Sequence, residues 1–84
     1  MKVHLKVFPI GGFTGSQDME MELSEDATVK ELLENAQQRL GAPLPGQDDI
    51  MLIHNGMKVD IASNSDRDLK GGDWLWLMPA ISQG

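Results

Sequence analysis

The chain has 84 residues, a formal net charge of −6 and no cysteine. This length suits one small domain, and the lack of cysteine excludes disulfides, zinc–thiolate sites, iron–sulfur ligation and cysteine nucleophiles. The acidic balance lacks the basic footprint that nucleic-acid binding requires, and no apolar run is long enough to span a membrane. We therefore expect a soluble, cytoplasmic protein whose partners include neither nucleic acid nor membrane.

The first predicted elements are two strands joined by a glycine-rich turn. Apolar and polar residues alternate along 2–8 and again along 18–23, which is the period of a half-buried strand. Between these strands, Pro9 and three glycines predict a loop. The apolar faces of the two strands comprise Val3, Leu5, Val7, Met19, Met21 and Leu23.

A helix is predicted over residues 29–40. Thr28, followed three residues later by Glu31, matches a capping box at the helix start. Gly41 supplies the left-handed conformation that commonly ends a helix. The apolar residues recur at helical spacing and form a single stripe. This stripe comprises Val29, Leu32, Leu33, Ala36 and Leu40.

The second half of the chain predicts a loop and then a hairpin. Residues 42–48 contain two prolines and a glycine, which favour a loop. Two apolar runs, 50–54 and 57–61, are separated by Asn55-Gly56. This dipeptide is the strongest short-range hairpin signal, because both central positions of a type I′ turn need a positive φ.

A polar connection over 62–70 and a turn over 71–73 lead to the last predicted strand, 74–78. The order is therefore β-β-α-β-β-β. A helix with one apolar stripe covers only one face of a sheet. We therefore predict an α+β, ubiquitin-like β-grasp fold with a mixed five-stranded sheet, in which the first and last strands are central neighbours and Leu75 and Leu77 face the helix.

Strand alternation then directs three large side chains to the open face of the sheet. If Leu75 and Leu77 point inward, Trp74, Trp76 and Met78 point outward. Several large apolar side chains on one exposed face indicate an interaction surface. The alternative is that loops or a lysine stem partly cover the tryptophans.

Titratable residues form no recognisable catalytic or metal-binding constellation in the sequence. His4 and His54 have no ligand partner at metal-binding spacing, so we expect no metal site, and we interpret His54 as a strand-end residue. Glu20 and Glu22 belong to an acidic edge that is either solvated or suited to a basic partner. The protein is therefore not expected to be an enzyme by itself.

Several motifs in the last third of the chain together resemble the ubiquitin-like sulfur carriers. Asn55-Gly56 follows an apolar strand, Leu69 and Gly72-Asp73 form a Leu-x-x-Gly-Asp element, and the final strand carries Pro79 before a terminal Gly84. This pattern is similar to the small subunit of molybdopterin synthase and to the thiamine-biosynthesis sulfur carrier, and Pro79 favours the molybdopterin branch.

The resemblance implies a function that depends on the end of the chain. An E1-like adenylating enzyme would use ATP to activate the carboxylate of Gly84, which would then become a thiocarboxylate, while the carrier itself binds no cofactor. The sulfur acceptor would be the molybdopterin synthase large subunit or another sulfur-accepting enzyme. Residues 1–78 would form the domain and 79–84 a flexible tail. Residues implied to bind partners are Trp74, Trp76, Met78, Pro79, Ala80, Ile81 and Gln83.

One position departs from the pattern of the family. The resembling proteins end in Gly-Gly, whereas Gln83 precedes Gly84 here. Two alternatives therefore stay open. The chain could be an interaction module that binds through Trp74 and Trp76 without activation, or a modifier that is joined through Gly84 to lysines of other proteins. A third interpretation of the tail is an ordinary frayed terminus.

Overall fold

A computed structural model of the chain describes residues 1–10 and 14–80. In this part of the chain, five strands form one mixed sheet, and one α-helix shares a hydrophobic core with it. A short 3₁₀ helix, Gln47–Asp49, precedes the third strand. The elements are β1 (Lys2–Val7), β2 (Gln17–Glu22), α1 (Val29–Leu40), β3 (Ile50–His54), β4 (Met57–Val59) and β5 (Trp74–Pro79).

The sheet order is β2-β1-β5-β3-β4, so the first and last strands are central neighbours. β1 and β5 run parallel, and every other pair is antiparallel. The parallel register places His4 beside Trp74 and Lys6 beside Trp76. This arrangement confirms the predicted α+β, ubiquitin-like β-grasp fold.

The core lies between α1 and one face of the sheet. Leu5, Leu52, Leu75 and Leu77 are fully buried at its centre, and they come from three adjacent strands. Burying such side chains contributes about 1.5–3 kcal/mol each relative to exposure. The remaining buried apolar residues are Val3, Val7, Ile10, Met19, Met21, Leu23, Ala27, Val29, Leu32, Ala36, Ile50, Val59, Ile61 and Leu69.

The start of α1 differs from the predicted capping box. Thr28 occupies the N-cap position in an extended conformation, but its side chain makes no capping hydrogen bond. Instead, the backbone N–H groups of Val29 and Lys30 donate to the carbonyl oxygens of Arg67 and Ser65, each at 3.0 Å. The polar connection between β4 and β5 therefore satisfies two of the free donors at the helix start.

Turn and cap positions that need a positive φ occur where the sequence predicts them. Gly41 ends α1 with φ 73°, and its N–H donates to the carbonyl of Gln37. Asn55 and Gly56 have φ values of 50° and 91°, as a type I′ hairpin between β3 and β4 requires.

Two element boundaries near the hairpin were predicted wrongly. β4 ends at Val59 rather than at residue 61, because the chain enters a turn at residues 61–63, where Ile61 is buried in the core. Residues 42–48 were predicted as a loop, yet the 3₁₀ helix begins within them. Its turn is closed by the N–H of Asp49, which donates to the carbonyl of Gly46 at 2.9 Å.

The helix stripe yields a prediction about stability. Leu32 is fully buried, whereas its neighbour Leu33 is only partly buried against the core. Leu32→Ala should lower the free energy of unfolding by about 2–5 kcal/mol, because it removes buried methyl groups and leaves a cavity. Leu33→Ala is the matched control and should cost less. Urea denaturation of both variants measures the difference, and equal losses would contradict the packing described here.

Candidate functional site

The open face of the sheet carries the two tryptophans of β5. Trp74 is 37% exposed and Trp76 is 40% exposed, whereas Leu75 and Leu77, which alternate with them, are fully buried. Side chains alternate across a strand, so the burial of the two leucines in the core forces both indoles outward. Their role in binding a partner stays a prediction.

The exposed indoles form a packed aromatic cluster with Phe8. The ring centroids of Trp74 and Trp76 are 5.2 Å apart, and those of Phe8 and Trp76 are 5.6 Å apart in an edge-to-face arrangement. Lys6 places its Nζ 5.1 Å from the centroid of the Phe8 ring, within the range of a cation–π interaction. Mutual packing restricts the side chains before any partner arrives, which lowers the entropic cost of binding.

The residues around Trp76 form a row across the sheet. In register, Asp18, Lys6, Trp76, Ile53 and Lys58 lie on successive strands from β2 to β4. The apolar centre of the face is therefore flanked by a lysine on each side. A partner that covers the cluster would meet apolar contacts at the centre, Lys6 and Asp18 at the β2 margin, and Lys58 at the β4 margin.

The last residue of β5 is Pro79, which was assigned to the tail, and Ala80 follows it. Met78 pairs with Met51, and Pro79 pairs with Ile50. The N–H of Ala80 donates to the carbonyl of Asp49 at 3.0 Å. The strand was predicted to end at Met78, and this boundary was wrong by one residue, because β3 is long enough to pair with Pro79. Ile81, Gln83 and Gly84 lie outside the described residues.

A polar network at the opposite end of β5 centres on the carboxylate of Asp73. Its Oδ1 accepts a hydrogen bond from Asn55 Nδ2 at 2.9 Å. Its Oδ2 accepts from the backbone N–H of Lys70 at 2.9 Å and contacts His54 Nε2 at 2.7 Å. Asn55 Oδ1 in turn accepts from the backbone N–H of Trp74. One carboxylate thus ties the hairpin turn, the polar connection and the first residue of β5 together.

His54 is more than the strand-end residue that the sequence suggests. The ring is buried, with 7% exposure, and both nitrogens have partners: Asp73 Oδ2 at Nε2, and Arg67 Nε, which donates to Nδ1 at 2.9 Å. Arg67 and Asp73 are 13 and 19 residues away in sequence, so no local pattern identifies them. The only signal of this network in the sequence is a polar residue at a position of β3 that faces the core.

The pKa of the Asp73 carboxyl is lowered from its ordinary value of 3.8. Burial by itself raises this pKa, because a charge is poorly solvated there. The hydrogen bonds from Asn55, His54 and the Lys70 N–H lower it by more. The ionised form of Asp73 is therefore the one that the folded structure favours.

Acidic and histidine side chains do not assemble into a metal site within residues 1–10 and 14–80. Every buried side-chain nitrogen and oxygen in this part of the chain has a hydrogen-bond partner. The same residues include no helix with the length and apolar character needed to cross a membrane.

The fold and the exposed face define a ubiquitin-like β-grasp protein. A Pyrococcus furiosus protein described as molybdopterin converting factor, subunit 1, is 26% identical, with a TM-score of 0.67 over 95% of this chain and 98% of that chain. SAMP1 from Haloferax volcanii is 21% identical, with a TM-score of 0.67 over the full length of both chains. Small archaeal modifier protein 1 from Methanosarcina acetivorans is 18% identical, with a TM-score of 0.63 over 99% of this chain and 96% of that chain.

These neighbours confirm the resemblance to the ubiquitin-like β-grasp proteins that include the sulfur carriers. No protein-family model matches the sequence, and the curated proteins give no match. The two neighbours under 25% identity establish the fold alone.

The Asp73 network yields a prediction about acid stability. Because the pKa of Asp73 is lower in the folded state than in the unfolded state, its carboxylate contributes stability above the unfolded pKa, and this is lost as the pH falls through the folded pKa. Asp73→Asn should cost about 1–3 kcal/mol at neutral pH and should flatten the fall in unfolding free energy below about pH 4. Urea denaturation across this pH range is the measurement. Exposed Asp66→Asn is the control, and an equal effect of both changes would refute the prediction.

Proposed function

We propose that this chain is a ubiquitin-like sulfur carrier, most simply one for molybdopterin biosynthesis, which acts as a co-substrate rather than as an enzyme. The support is the full-length similarity to a protein described as molybdopterin converting factor, subunit 1, combined with the aromatic face of β5. In this proposal, Gly84 carries the reactive carboxylate, and the partners are an E1-like adenylating enzyme and the molybdopterin synthase large subunit or another sulfur-accepting enzyme.

The observation that carries the proposal is the position of β5. This strand presents Trp74 and Trp76 on the open face and leads through Pro79 and Ala80 into the last four residues. A chain of four residues beyond Ala80 reaches at most about 13 Å. Trp76 lies four residues, or about 13 Å of strand, before Ala80, so Gly84 lies within about 26 Å of Trp76. A partner with an interface of ordinary size would therefore span both the surface and the reacting group.

The proposed chemistry requires three steps. A carboxylate oxygen of Gly84 attacks the α-phosphorus of ATP, and pyrophosphate leaves. The terminal sulfur of a persulfide donor then attacks the acyl carbon, and AMP leaves. A thiol reductant cleaves the resulting acyl disulfide and frees the thiocarboxylate. The adenylating enzyme would bind the ATP, and the carrier would supply only its carboxylate.

The reaction can be tested directly on the chain. Incubation with the adenylating enzyme of the source organism, ATP, a persulfide donor and a thiol should replace one terminal oxygen by sulfur, as measured by intact-mass spectrometry. Deleting Gly84 should abolish the product while leaving the far-UV circular dichroism spectrum unchanged, because a glycine has no side chain to bury.

A variant at Gln83 is the second part of this experiment. Gln83→Gly restores the Gly-Gly ending of the resembling carriers and should leave the rate unchanged or raise it, since it removes side-chain bulk beside the reacting carbon. The carrier proposal is refuted if neither the unmodified chain nor Gln83→Gly forms an adenylate or a thiocarboxylate.

A second candidate function is protein modification. Two of the structural neighbours are small archaeal modifier proteins that match nearly the whole chain. A modifier would use the same activated Gly84 but would transfer its acyl group to a lysine amine, forming an isopeptide bond. Conjugates of higher mass that resist reduction would support this function, and a free thiocarboxylate would support the carrier.

The aromatic cluster yields a prediction that separates binding from activation. Trp74→Ala and Trp76→Ala should each weaken binding to the adenylating enzyme by more than about 1 kcal/mol, because tryptophan is enriched among residues that dominate interface energies. Isothermal titration calorimetry measures the loss. Met57→Ala is the control, since Met57 is 63% exposed but lies beside the hairpin turn.

Two outcomes of this experiment are informative. If both tryptophan variants bind as tightly as the unmodified chain, the open face is not the interface. If the chain binds through the tryptophans but is never activated, it is an interaction module, which is the remaining alternative.

A further inference from the structure

The buried ring of His54 lies on the helix-facing side of the sheet. Ile50, Leu52 and His54 are the inward positions of β3, and the first two are aliphatic. A polar ring in this position loses its hydration, which must be replaced by hydrogen bonds within the protein. His54 obtains them from Asp73 on one side and from Arg67 on the other.

These two partners determine the protonation state of the ring. Arg67 Nε is a donor, so His54 Nδ1 must carry a lone pair to accept its hydrogen bond. The proton of a neutral imidazole then resides on Nε2, which donates to Asp73 Oδ2. The observed arrangement therefore fits only the neutral ring with its proton on Nε2.

Arg67 also links His54 to the start of α1. The Arg67 side chain donates a hydrogen bond to Nδ1 of His54 on β3, and the Arg67 carbonyl accepts the N–H of Val29. The carbonyl of Ser65, two residues earlier, accepts the N–H of Lys30. The segment that caps the helix thus makes one side-chain hydrogen bond to β3, through the lone pair of His54. Leu69, which is buried, and the Lys70 N–H bond to Asp73 hold the end of the same connection.

We propose that His54 is a proton-sensitive latch that holds the Arg67 part of the 60–70 connection against β3. When solvent supplies a proton to Nδ1, the acceptor for Arg67 disappears and two cations face each other at hydrogen-bond distance. Arg67 is only partly buried, so its guanidinium can move to water, and the connection loses its side-chain attachment to β3. This latch does not depend on whether the chain is a carrier, a modifier or an interaction module.

The charged groups around His54 explain why protonation would release only the contact with Arg67. Asp73 immediately precedes β5. Arg67, Asp68 and Lys70 belong to the connection, and they line the pocket beside the His54 ring. The strand neighbours of His54, Leu75 and Met57, carry no charge. The imidazolium would keep and strengthen its contact with Asp73, so only the Arg67 side of the ring is released.

The ring state can be measured without any variant. The chain has two histidines, so ¹⁵N-histidine labelling gives two resolvable rings in long-range ¹H–¹⁵N spectra. In its neutral form, His54 should show a protonated Nε2 and an unprotonated Nδ1. Exposed His4 is the internal reference, since its only described side-chain contact is Asp18 at 3.4 Å. A protonated Nδ1 on neutral His54 would overturn the proposal.

Opening of the latch can be measured by amide hydrogen exchange. As His54 takes up its second proton, the protection factors of Val29 and Lys30 should fall about tenfold, the equivalent of one hydrogen bond to a charged group. The Leu32 amide, which bonds to the carbonyl of Thr28 within the helix, should change less. The proposal would be overturned if the protection factors of Val29 and Lys30 stayed the same when His54 was protonated.

Two variants complete the test. Arg67→Leu removes the cation and the donor, so Val29 and Lys30 protection should no longer follow the protonation of His54. Arg39→Leu removes an exposed arginine at the other end of α1 and should leave that dependence unchanged. If Arg67→Leu does not fold, the two measurements on the unmodified chain still decide the question.

Discussion

The parallel pairing of β1 with β5 is the constraint on which the rest of this structure depends. Parallel neighbours require a crossover connection, and here almost the whole chain between residues 7 and 74 serves as that crossover. α1 covers the face to which β1 and β5 contribute Leu5, Leu75 and Leu77. Because side chains alternate, the same pairing directs Trp74 and Trp76 to the uncovered face.

The sequence was sufficient for features that arise from local periodicity. The period of two along β1 and β5, the helical stripe of α1 and the Asn55-Gly56 turn all act over a few residues, so the strand order and the exposed tryptophans followed from them. Features that join distant residues could not be predicted in this way. The cap of α1 comes from a carbonyl of Arg67, and the Thr28 side chain that fitted the local motif makes no capping bond.

The Leu-x-x-Gly-Asp element supports the fold rather than the reaction. Leu69 is buried, Gly72 has φ 89°, and Asp73 collects hydrogen bonds from the hairpin turn and the connection. None of these roles involves the end of the chain. A match to this element therefore identifies a scaffold that positions β5, whereas the choice among carrier, modifier and interaction module depends on the chemistry of Gly84.

The two carboxylate oxygens of Asp73 have different partners, and protonation of His54 affects the contact at only one of these oxygens. Oδ1 accepts from Asn55, which in turn holds the N–H of Trp74, so this oxygen supports the start of the aromatic strand. Oδ2 faces His54 and the connection. A proton on His54 strengthens the contact at Oδ2 and leaves Oδ1 with the same partner. The Arg67 part of the connection can therefore loosen while β5 and its exposed tryptophans keep their positions, because ionised Asp73 keeps its hydrogen bonds from Asn55 and from the Lys70 N–H.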